Sequence, residues 1–249
     1  MDRLKGKVAV ITGANSGVGE ATALAFAKEG ATVVISARRI EPLNAVADKI
    51  KAEGGTVLAV PTDISDKAAC ENLMDKAVEA FGKIDILVNS AGVVTKHDFW
   101  NTDEKEYDSI MDTNAKGTFF MSQAVGKQMV EKHIQGHILN VTSSSALRPA
   151  WTPYQMSKWA VNGLTQGLAD MMIPHGIVVN AIAPGPTATP MLAKKEGDSI
   201  YEPYTPSHRY AMPEELASLA LFMVSGAGNM IVGDTVYMTG GSGTITMHH

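Results

Sequence analysis

Short apolar runs alternate along the chain with longer segments in which apolar residues recur at helical spacing. The runs are rich in valine, isoleucine and alanine, and they predict strands at residues 7–12, 31–36, 56–60, 84–88, 136–141, 176–183 and 234–238. The amphipathic segments predict helices, the main ones at residues 20–28, 40–53, 65–81, 115–132, 152–172 and 213–225. Strands that alternate with helices form parallel sheets with right-handed crossovers. We therefore expect an α/β fold, a doubly wound parallel sheet in a three-layer αβα arrangement, formed as a single domain over residues 1–249.

A glycine-rich turn separates the first predicted strand from the first predicted helix. Glycines let a pyrophosphate approach the backbone, and a helix N-terminus offers unpaired N–H groups and the positive end of the helix dipole. A strand before the turn and a helix after it give the setting that a dinucleotide fingerprint requires. The alternative is a purely structural turn. The predicted dinucleotide contacts are Gly13, Asn15, Ser16, Gly17, Val18 and Gly19.

Small and polar residues also follow the other predicted strands. In doubly wound sheets, ligands bind beyond the carboxyl ends of the strands. The segments that we expect to share one site are 13–19, 37–39, 63–64, 89–92, 142–145 and 184–189.

Charge and composition narrow the classes of partner. The net charge of −5 argues against a nucleic acid or an anionic membrane surface. A single cysteine allows no intrachain disulfide. No apolar stretch approaches the roughly 18 residues of a membrane span, and no signal peptide is recognisable. The single cysteine and the lack of a signal peptide predict a cytoplasmic protein. No His, Cys and Asp cluster has the spacing of metal ligands, so we expect no catalytic metal.

Tyr154 and Lys158 are four positions apart in a predicted helix, which places them on one face. A nearby ammonium group favours the phenolate and lowers the pKa of a tyrosine toward a range useful for acid–base chemistry. Taken alone, the pair is better explained as a chance pattern on a helix, because short patterns have high false-positive rates.

Motifs along essentially the whole chain resemble those of the short-chain dehydrogenase/reductase family. Thr12–Gly19 matches Thr-Gly-x-x-x-Gly-x-Gly, Asn89–Gly92 is similar to Asn-Asn-Ala-Gly with a serine at the second position, and Tyr154 and Lys158 fill Tyr-x-x-x-Lys. Asn140–Ser143 resembles the strand that carries the catalytic serine, and 180–189 resembles the Pro-Gly segment that holds a nicotinamide. The resemblance implies a Rossmann-type fold and hydride transfer between a nicotinamide and a carbonyl or alcohol carbon.

The resemblance also implies roles for individual residues. Tyr154 acts as general acid or base, Ser143 stabilises the substrate oxygen, Lys158 tunes Tyr154 and binds the ribose, and Asn114 holds a water of a proton relay. The serine-to-tyrosine spacing is about two residues short, so Ser144 and Ser145 compete with Ser143, and Asn114 has a helix cap as its alternative. The remaining implied cofactor contacts are Asp63, Ile64, Asn89, Ala91, Gly92, Tyr154, Lys158, Pro184, Gly185, Thr187 and Thr189. Two further departures are Thr239, at a position where an aspartate is common, and Pro186 after the Pro-Gly pair.

Charge at the end of the second strand predicts which nicotinamide is used. NAD-binding folds place Asp or Glu there to hold the ribose 2′-OH. Here Arg38 and Arg39 follow the strand, and guanidinium groups pair with a 2′-phosphate. We therefore predict that the cofactor is NADP(H). The alternative is that both arginines are solvent-exposed residues that precede the next helix and bind nothing.

The segment 189–212 has no strong periodicity and is predicted to be a substrate lid. Its apolar and aromatic residues, with Trp151, Arg148 and Val94 nearby, predict a pocket for a hydrophobic ketone, alcohol, sugar or steroid. Alternatives are a 3-oxoacyl-(acyl-carrier-protein) reductase, which would need a basic docking patch, and a catalytically idle nucleotide-binding scaffold. The candidates for that patch are Lys127, Lys132 and His133. The resemblance implies a homo-oligomer, usually a tetramer; His248-His249 is either native or a remnant of cloning.

Overall fold

Seven parallel strands form one sheet in the order β3-β2-β1-β4-β5-β6-β7. The computed structural model describes residues 2–195 and 197–246. Met1, Glu196 and 247–249 lie outside the described residues, and so does the origin of His248-His249 considered above. The strands are β1 (Val8–Thr12), β2 (Thr32–Ala37), β3 (Val57–Pro61), β4 (Ile86–Asn89), β5 (His137–Val141), β6 (Val178–Pro184) and β7 (Thr235–Met238). The helices are α1 (Gly17–Lys28), α2 (Ile40–Ala52), α3 (Lys67–Phe81), α4 (Glu104–Met111), α5 (Thr118–Glu131), α6 (Pro153–Met172) and α7 (Pro213–Met223).

The strand order reverses between β1 and β4. From β1 the chain moves outward through β2 to β3, and from β4 it moves in the other direction to β7. All pairings are parallel, with Thr12 beside Ser36 on one side and Asn89 on the other. The loops that leave the carboxyl ends of β1 and β4 therefore diverge and open a crevice, which is where this class of sheet binds ligands. The predicted doubly wound three-layer architecture is confirmed.

Two apolar layers cover the sheet. One contains the fully buried Phe26 of α1 and Leu43 of α2, and α7 packs on α1 in the same layer. The other contains Leu73 of α3 and Met121 of α5, together with apolar residues of α6. Cys70 is buried in this second layer, and burial raises the pKa of its thiol to about 11. A thiol with such a pKa is protonated at neutral pH and serves as a small apolar core residue.

The helical segment before β5 differs from the prediction. In place of one helix over 115–132, α4 leads into a π-helical turn over Asp112–Gly117, which continues into α5. A Cβ on Gly117 would lie 2.7 Å from the carbonyl oxygen of Ile64, so this turn requires a glycine to approach the end of β3. Asn114 lies inside the turn and caps no helix, which excludes the cap alternative.

Described residues of the segment 189–212 contact one another and the neighbouring elements. Tyr201 and Arg209 form an antiparallel bridge, and Thr187 pairs with Ala211. Arg209 donates two hydrogen bonds of 2.7 Å to the carboxylate of Glu215 in α7, and this pair ties the segment to that helix. Its role as a lid stays a prediction.

Two features of the described residues concern partners. None of their helices is long and apolar enough to span a bilayer. They also contain no group of three or more His, Cys, Asp or Glu side chains placed to hold a metal ion.

Candidate active site

A cavity of about 470 Å³ lies at the carboxyl edge of the sheet, where the loops after β1 to β6 meet. Most of the residues predicted from the sequence line it. Those on its wall are Gly13, Asn15, Ser16, Gly17, Val18, Gly19, Arg38, Asp63, Ile64, Ala91, Gly92, Ser143, Tyr154, Lys158, Pro184, Gly185, Thr187 and Thr189. Arg39, Asn89 and Asn114 are predicted site residues that do not line it.

The glycine-rich turn brings the backbone of the β1–α1 loop against the loop after β4. Gly13 has a φ of +67°, and a Cβ there would lie 2.6 Å from the Cα of Ala91. A Cβ on Gly19 would lie 2.4 Å from the carbonyl oxygen of Gly13. Ser16 precedes α1 without capping it through its side chain, and the first helical residues, Gly17 to Gly19, line the cavity. This end of the cavity is suited to an anion such as a pyrophosphate.

The loop after β4 is fixed by Thr12. Its hydroxyl accepts hydrogen bonds from the backbone N–H groups of Ser90 and Ala91, at 3.1 and 3.2 Å. Asn89 lies beneath this loop and is buried; its amide donates to Ser122 Oγ at 3.0 Å and to Asn140 Oδ1 at 2.9 Å. The Asn89 side chain, predicted as a cofactor contact, therefore supports the cavity floor from within the protein.

Arg39 is the second predicted contact outside the cavity. It precedes α2 with an extended backbone and is exposed, whereas Arg38 lies on the cavity wall. Both arginines are exposed, and only Arg38 lies on the cavity wall, which leaves Arg38 as the arginine available to a ligand.

Ser143 lies next to Tyr154, and hydrogen bonding by its hydroxyl favours the ionised phenol. Tyr154 lies in the first turn of α6, which begins with a capping box between Thr152 and Gln155, and its backbone N–H donates to Thr95 Oγ1 at 3.2 Å. Ser143 is held in place because its Oγ accepts from the backbone N–H of Ser145 at 3.1 Å. Among the three serines, this geometry favours Ser143 as the partner of Tyr154.

Lys158 lies one turn further along α6 and is buried. Its Nζ donates to the carbonyl oxygen of Val141 at 3.0 Å and lies 5.6 Å from the centroid of the Tyr154 ring. Burial lowers the pKa of Lys158 from 10.5 to about 8. Burial also raises the pKa of Tyr154, and the hydrogen bond from Ser143 opposes that rise. The expected lowering of the Tyr154 pKa by Lys158 is therefore not the dominant effect in this arrangement.

Asn114 holds the loop that follows Gly92. Its Oδ1 accepts from the Val93 N–H at 2.8 Å, and its amide donates to the Val93 carbonyl at 2.9 Å and to Ser157 Oγ at 3.0 Å. The π-helical turn places Asn114 opposite α6, beside the residue that precedes Lys158. Asn114 thus connects the cavity wall at Val93 with the helix that carries Tyr154 and Lys158.

Several residues of the site were not predicted from the sequence. Thr152 and Gln155 have the spacing of a capping box, which is a signal that local inspection finds. Thr95 and Ser242 reach the site from distant loops, and no local pattern marks them.

Comparison with known proteins agrees with this geometry. Residues 7–199 match the family model described as short chain dehydrogenase. The chain is 38% identical to (2S)-[(R)-hydroxy(phenyl)methyl]succinyl-CoA dehydrogenase subunit BbsD of Thauera aromatica, over 96% of this chain and 97% of that protein. It is 36% identical to 2-dehydro-3-deoxy-D-gluconate 5-dehydrogenase of Dickeya dadantii, over 96% of both chains.

Solved structures give the same result. A short chain dehydrogenase from Burkholderia cenocepacia in complex with NADP superposes with a TM-score of 0.87 at 33% identity, covering 96% of this chain and 98% of that one. A 3-ketoacyl-(acyl-carrier-protein) reductase from Brucella melitensis complexed with NADH superposes with a TM-score of 0.85 at 37% identity, covering 97% and 100%. Ser143, Tyr154 and Lys158 lie on one cavity wall of the same fold, and the likenesses extend over nearly the full length. The chain therefore belongs to the short-chain dehydrogenase/reductase family and is an oxidoreductase acting on CH–OH or carbonyl groups.

Proposed function

We propose that the protein interconverts a carbonyl and a secondary alcohol with NADP(H), with Tyr154 as the general acid and base. The observation that carries the proposal is that Ser143, Tyr154 and the buried Lys158 line the same cavity as the first turn of α1, which no side chain caps.

The cavity fits a nicotinamide dinucleotide. The glycine positions that admit no Cβ and the uncapped first turn of α1 provide a backbone surface for the pyrophosphate. Arg38, Asp63 and Ile64 would lie along the adenosine half, and the segment from Pro184 to Thr189 along the nicotinamide half. When bound, the nicotinamide accepts or donates the hydride.

The chain itself handles the proton and the developing charge. In the reductive direction Tyr154 gives its hydroxyl proton to the substrate oxygen, and in the oxidative direction it takes that proton back. Ser143 donates a hydrogen bond to the same oxygen and stabilises the charge that develops on it. Lys158 binds the ribose hydroxyls and favours the tyrosinate form whenever Tyr154 has lost its proton. Asn114 fixes the cavity wall at Val93 to α6, and the water relay to Lys158 stays a prediction for it.

The preference for NADP(H) rests on Arg38. It stands on the cavity wall at the end of β2, it forms no ion pair with any carboxylate of the described residues, and no acidic residue stands at positions 38–40 directly after β2. Solved relatives of similar identity hold NADP in one case and NADH in the other, so the choice depends on this chain's own residues.

Arg38→Ala is expected to raise the KM for NADPH about 10- to 100-fold, because a charge-assisted hydrogen bond to a phosphate contributes about 1.5–3 kcal/mol. The KM for NADH should change little. The matched control is Arg39→Ala, which removes the same charge from the exposed neighbour. Steady-state kinetics with both cofactors measure the effect, and an equal loss with NADPH and NADH would contradict a 2′-phosphate contact.

The proposed activity is tested by a panel of aliphatic, aromatic and sugar ketones and the matching alcohols, assayed with both cofactors through nicotinamide absorbance. We expect turnover with at least one class of substrate. Failure of the whole panel would favour the idle nucleotide-binding scaffold.

The reductase of carrier-bound acyl chains has less support. Of its candidate docking bases Lys127, Lys132 and His133, Lys127 is paired with Glu131 at 3.8 Å, which lowers the net positive charge of this surface. A homotetramer and a cytoplasmic location stay predictions, and sizing by light scattering tests the first.

A further inference from the structure

The charges on the cavity wall have the opposite sign to the protein as a whole. The net charge of the chain is −5, yet the charged residues on the wall are three bases and one acid. They are Arg38, Arg148, Lys158 and Asp63. A cavity with this excess of positive charge favours anionic ligands.

The proposed function accounts for all but one of these bases. Arg38 serves the 2′-phosphate, and Lys158 serves the ribose and Tyr154. Arg148 follows the short helical turn Ser144–Leu147 that comes directly after Ser143, so it belongs to the substrate side of the cavity. It is the base on the wall that has no part in binding the cofactor.

Arg148 is held by neutral groups. Its Nη2 donates to Ser242 Oγ at 3.4 Å, and a Cβ on Gly243 would lie 3.6 Å from its Nε. Its carbonyl oxygen accepts from Trp159 Nε1 at 3.0 Å, which fixes the backbone. No carboxylate of the described residues pairs with it. A guanidinium has five N–H donors, so the long bond to Ser242 leaves most of them free for a ligand.

Apolar side chains line the cavity together with Arg148 and Tyr154. They include Val94, Trp151, Met191 and Leu192. A substrate that contacts these side chains, Tyr154 and Arg148 therefore has an apolar body and an anionic group away from its carbonyl. One guanidinium matches one carboxylate in a two-point contact, whereas the roughly two charges of a phosphate would call for a second base.

We propose, on the basis of the proposed function, that the substrate is a keto acid or the corresponding hydroxy acid, and that Arg148, beside the Ser242 hydroxyl, binds its carboxylate. Arg148 is then the residue that selects acids over neutral ketones. Its guanidinium acts on binding and orientation, while Tyr154 and Ser143 act on the carbonyl.

The test compares acetoacetate and levulinate with their methyl esters, using NADPH and the wild-type, Arg148→Ala, Arg148→Lys and Lys105→Ala proteins. Lys105 is an exposed base of α4 and serves as the matched control. We expect the wild-type protein to prefer acid over ester at least about 10-fold in kcat/KM. Arg148→Ala should abolish that preference through the KM for the acid, Arg148→Lys should keep part of it, and Lys105→Ala should keep all of it.

Binding of levulinate to the NADP⁺ complex, followed by tryptophan fluorescence, separates the two proposals, because Trp151 lies on the cavity wall. Arg148-dependent binding without turnover would support the carboxylate site and contradict the proposed reaction. Equal losses with acid and ester in Arg148→Ala, an unchanged preference, or no binding of levulinate to the wild-type protein would overturn the carboxylate site. A stronger Arg148-dependent preference for dihydroxyacetone phosphate would overturn the choice of carboxylate over phosphate.

Discussion

Tyr154→Phe is expected to lower kcat about 10³-fold and to leave the affinity for NADP(H) within about threefold of wild type. The phenol supplies the transferred proton, and phenylalanine keeps the ring that packs in the first turn of α6. The remaining hydrogen bond of Ser143, accepted from the Ser145 N–H, should keep the serine in place. Single-turnover kinetics measure the chemical step, and NADPH fluorescence measures binding.

Tyr107→Phe is the matched control, because Tyr107 lies on the surface of α4 and is 39% exposed. It should leave both quantities unchanged. Near-normal turnover by Tyr154→Phe would refute the acid–base mechanism, and a loss confined to cofactor binding would move Tyr154 to a purely structural role.

Lys158→Met should lower kcat/KM about 10²- to 10³-fold and at the same time stabilise the cofactor-free protein by about 2 kcal/mol at pH 7. The pKa shift from 10.5 to about 8 corresponds to a cost of about 3 kcal/mol for keeping this ammonium buried. The hydrogen bond to Val141 offsets about 1 kcal/mol of that cost. Methionine has a similar length and no charge, so it removes the cost together with the function.

The stability difference should depend on pH in a defined direction. Between about pH 8 and 10.5 the unfolded wild-type chain binds a proton that the folded chain has released, so wild-type stability rises with pH across that window. Below pH 8 both states of wild type are protonated and the full cost is present. The advantage of Lys158→Met should therefore be constant below pH 8 and shrink above it, as urea unfolding at several pH values would show. An exposed-site control, Lys105→Met, should show no such trend, and a destabilised Lys158→Met would contradict the account.

The sheet and most helices follow from local periodicity, which is why the predicted strands agree with the observed ones to within a few residues. The start of α3 shows the limit of local rules. By sequence, Ser65 and Asp66 are both candidates to cap it; in the structure the N–H and hydroxyl of Ser65 donate to Asp63, and Asp66 caps the helix by accepting from the Ala68 N–H. Two neighbouring residues could each form a cap, and three-dimensional contacts decide between them.

The site was predictable where its residues lie in contiguous motifs and unpredictable where they come from far apart. The glycine turn, Tyr154 and Lys158 belong to the first kind. The two hydrogen bonds between Asn114 and Val93 could not be predicted, because they depend on a π-helical turn for which the sequence has no recognisable local pattern. The contact between Arg148 and Ser242 could not be predicted either, since 94 residues separate them along the chain.

The turn that contains Ser242 links the substrate side of the cavity to the segment 189–212. Gly240 accepts a hydrogen bond from the Ser207 N–H, and the turn brings Ser242 to the cavity wall beside Arg148. The contact is tight, because a Cβ on Gly240 would lie 2.2 Å from Ser207 Oγ. Any movement of Ser207 therefore moves this turn as well, and with it the hydroxyl beside Arg148, so the two parts of the wall are mechanically coupled.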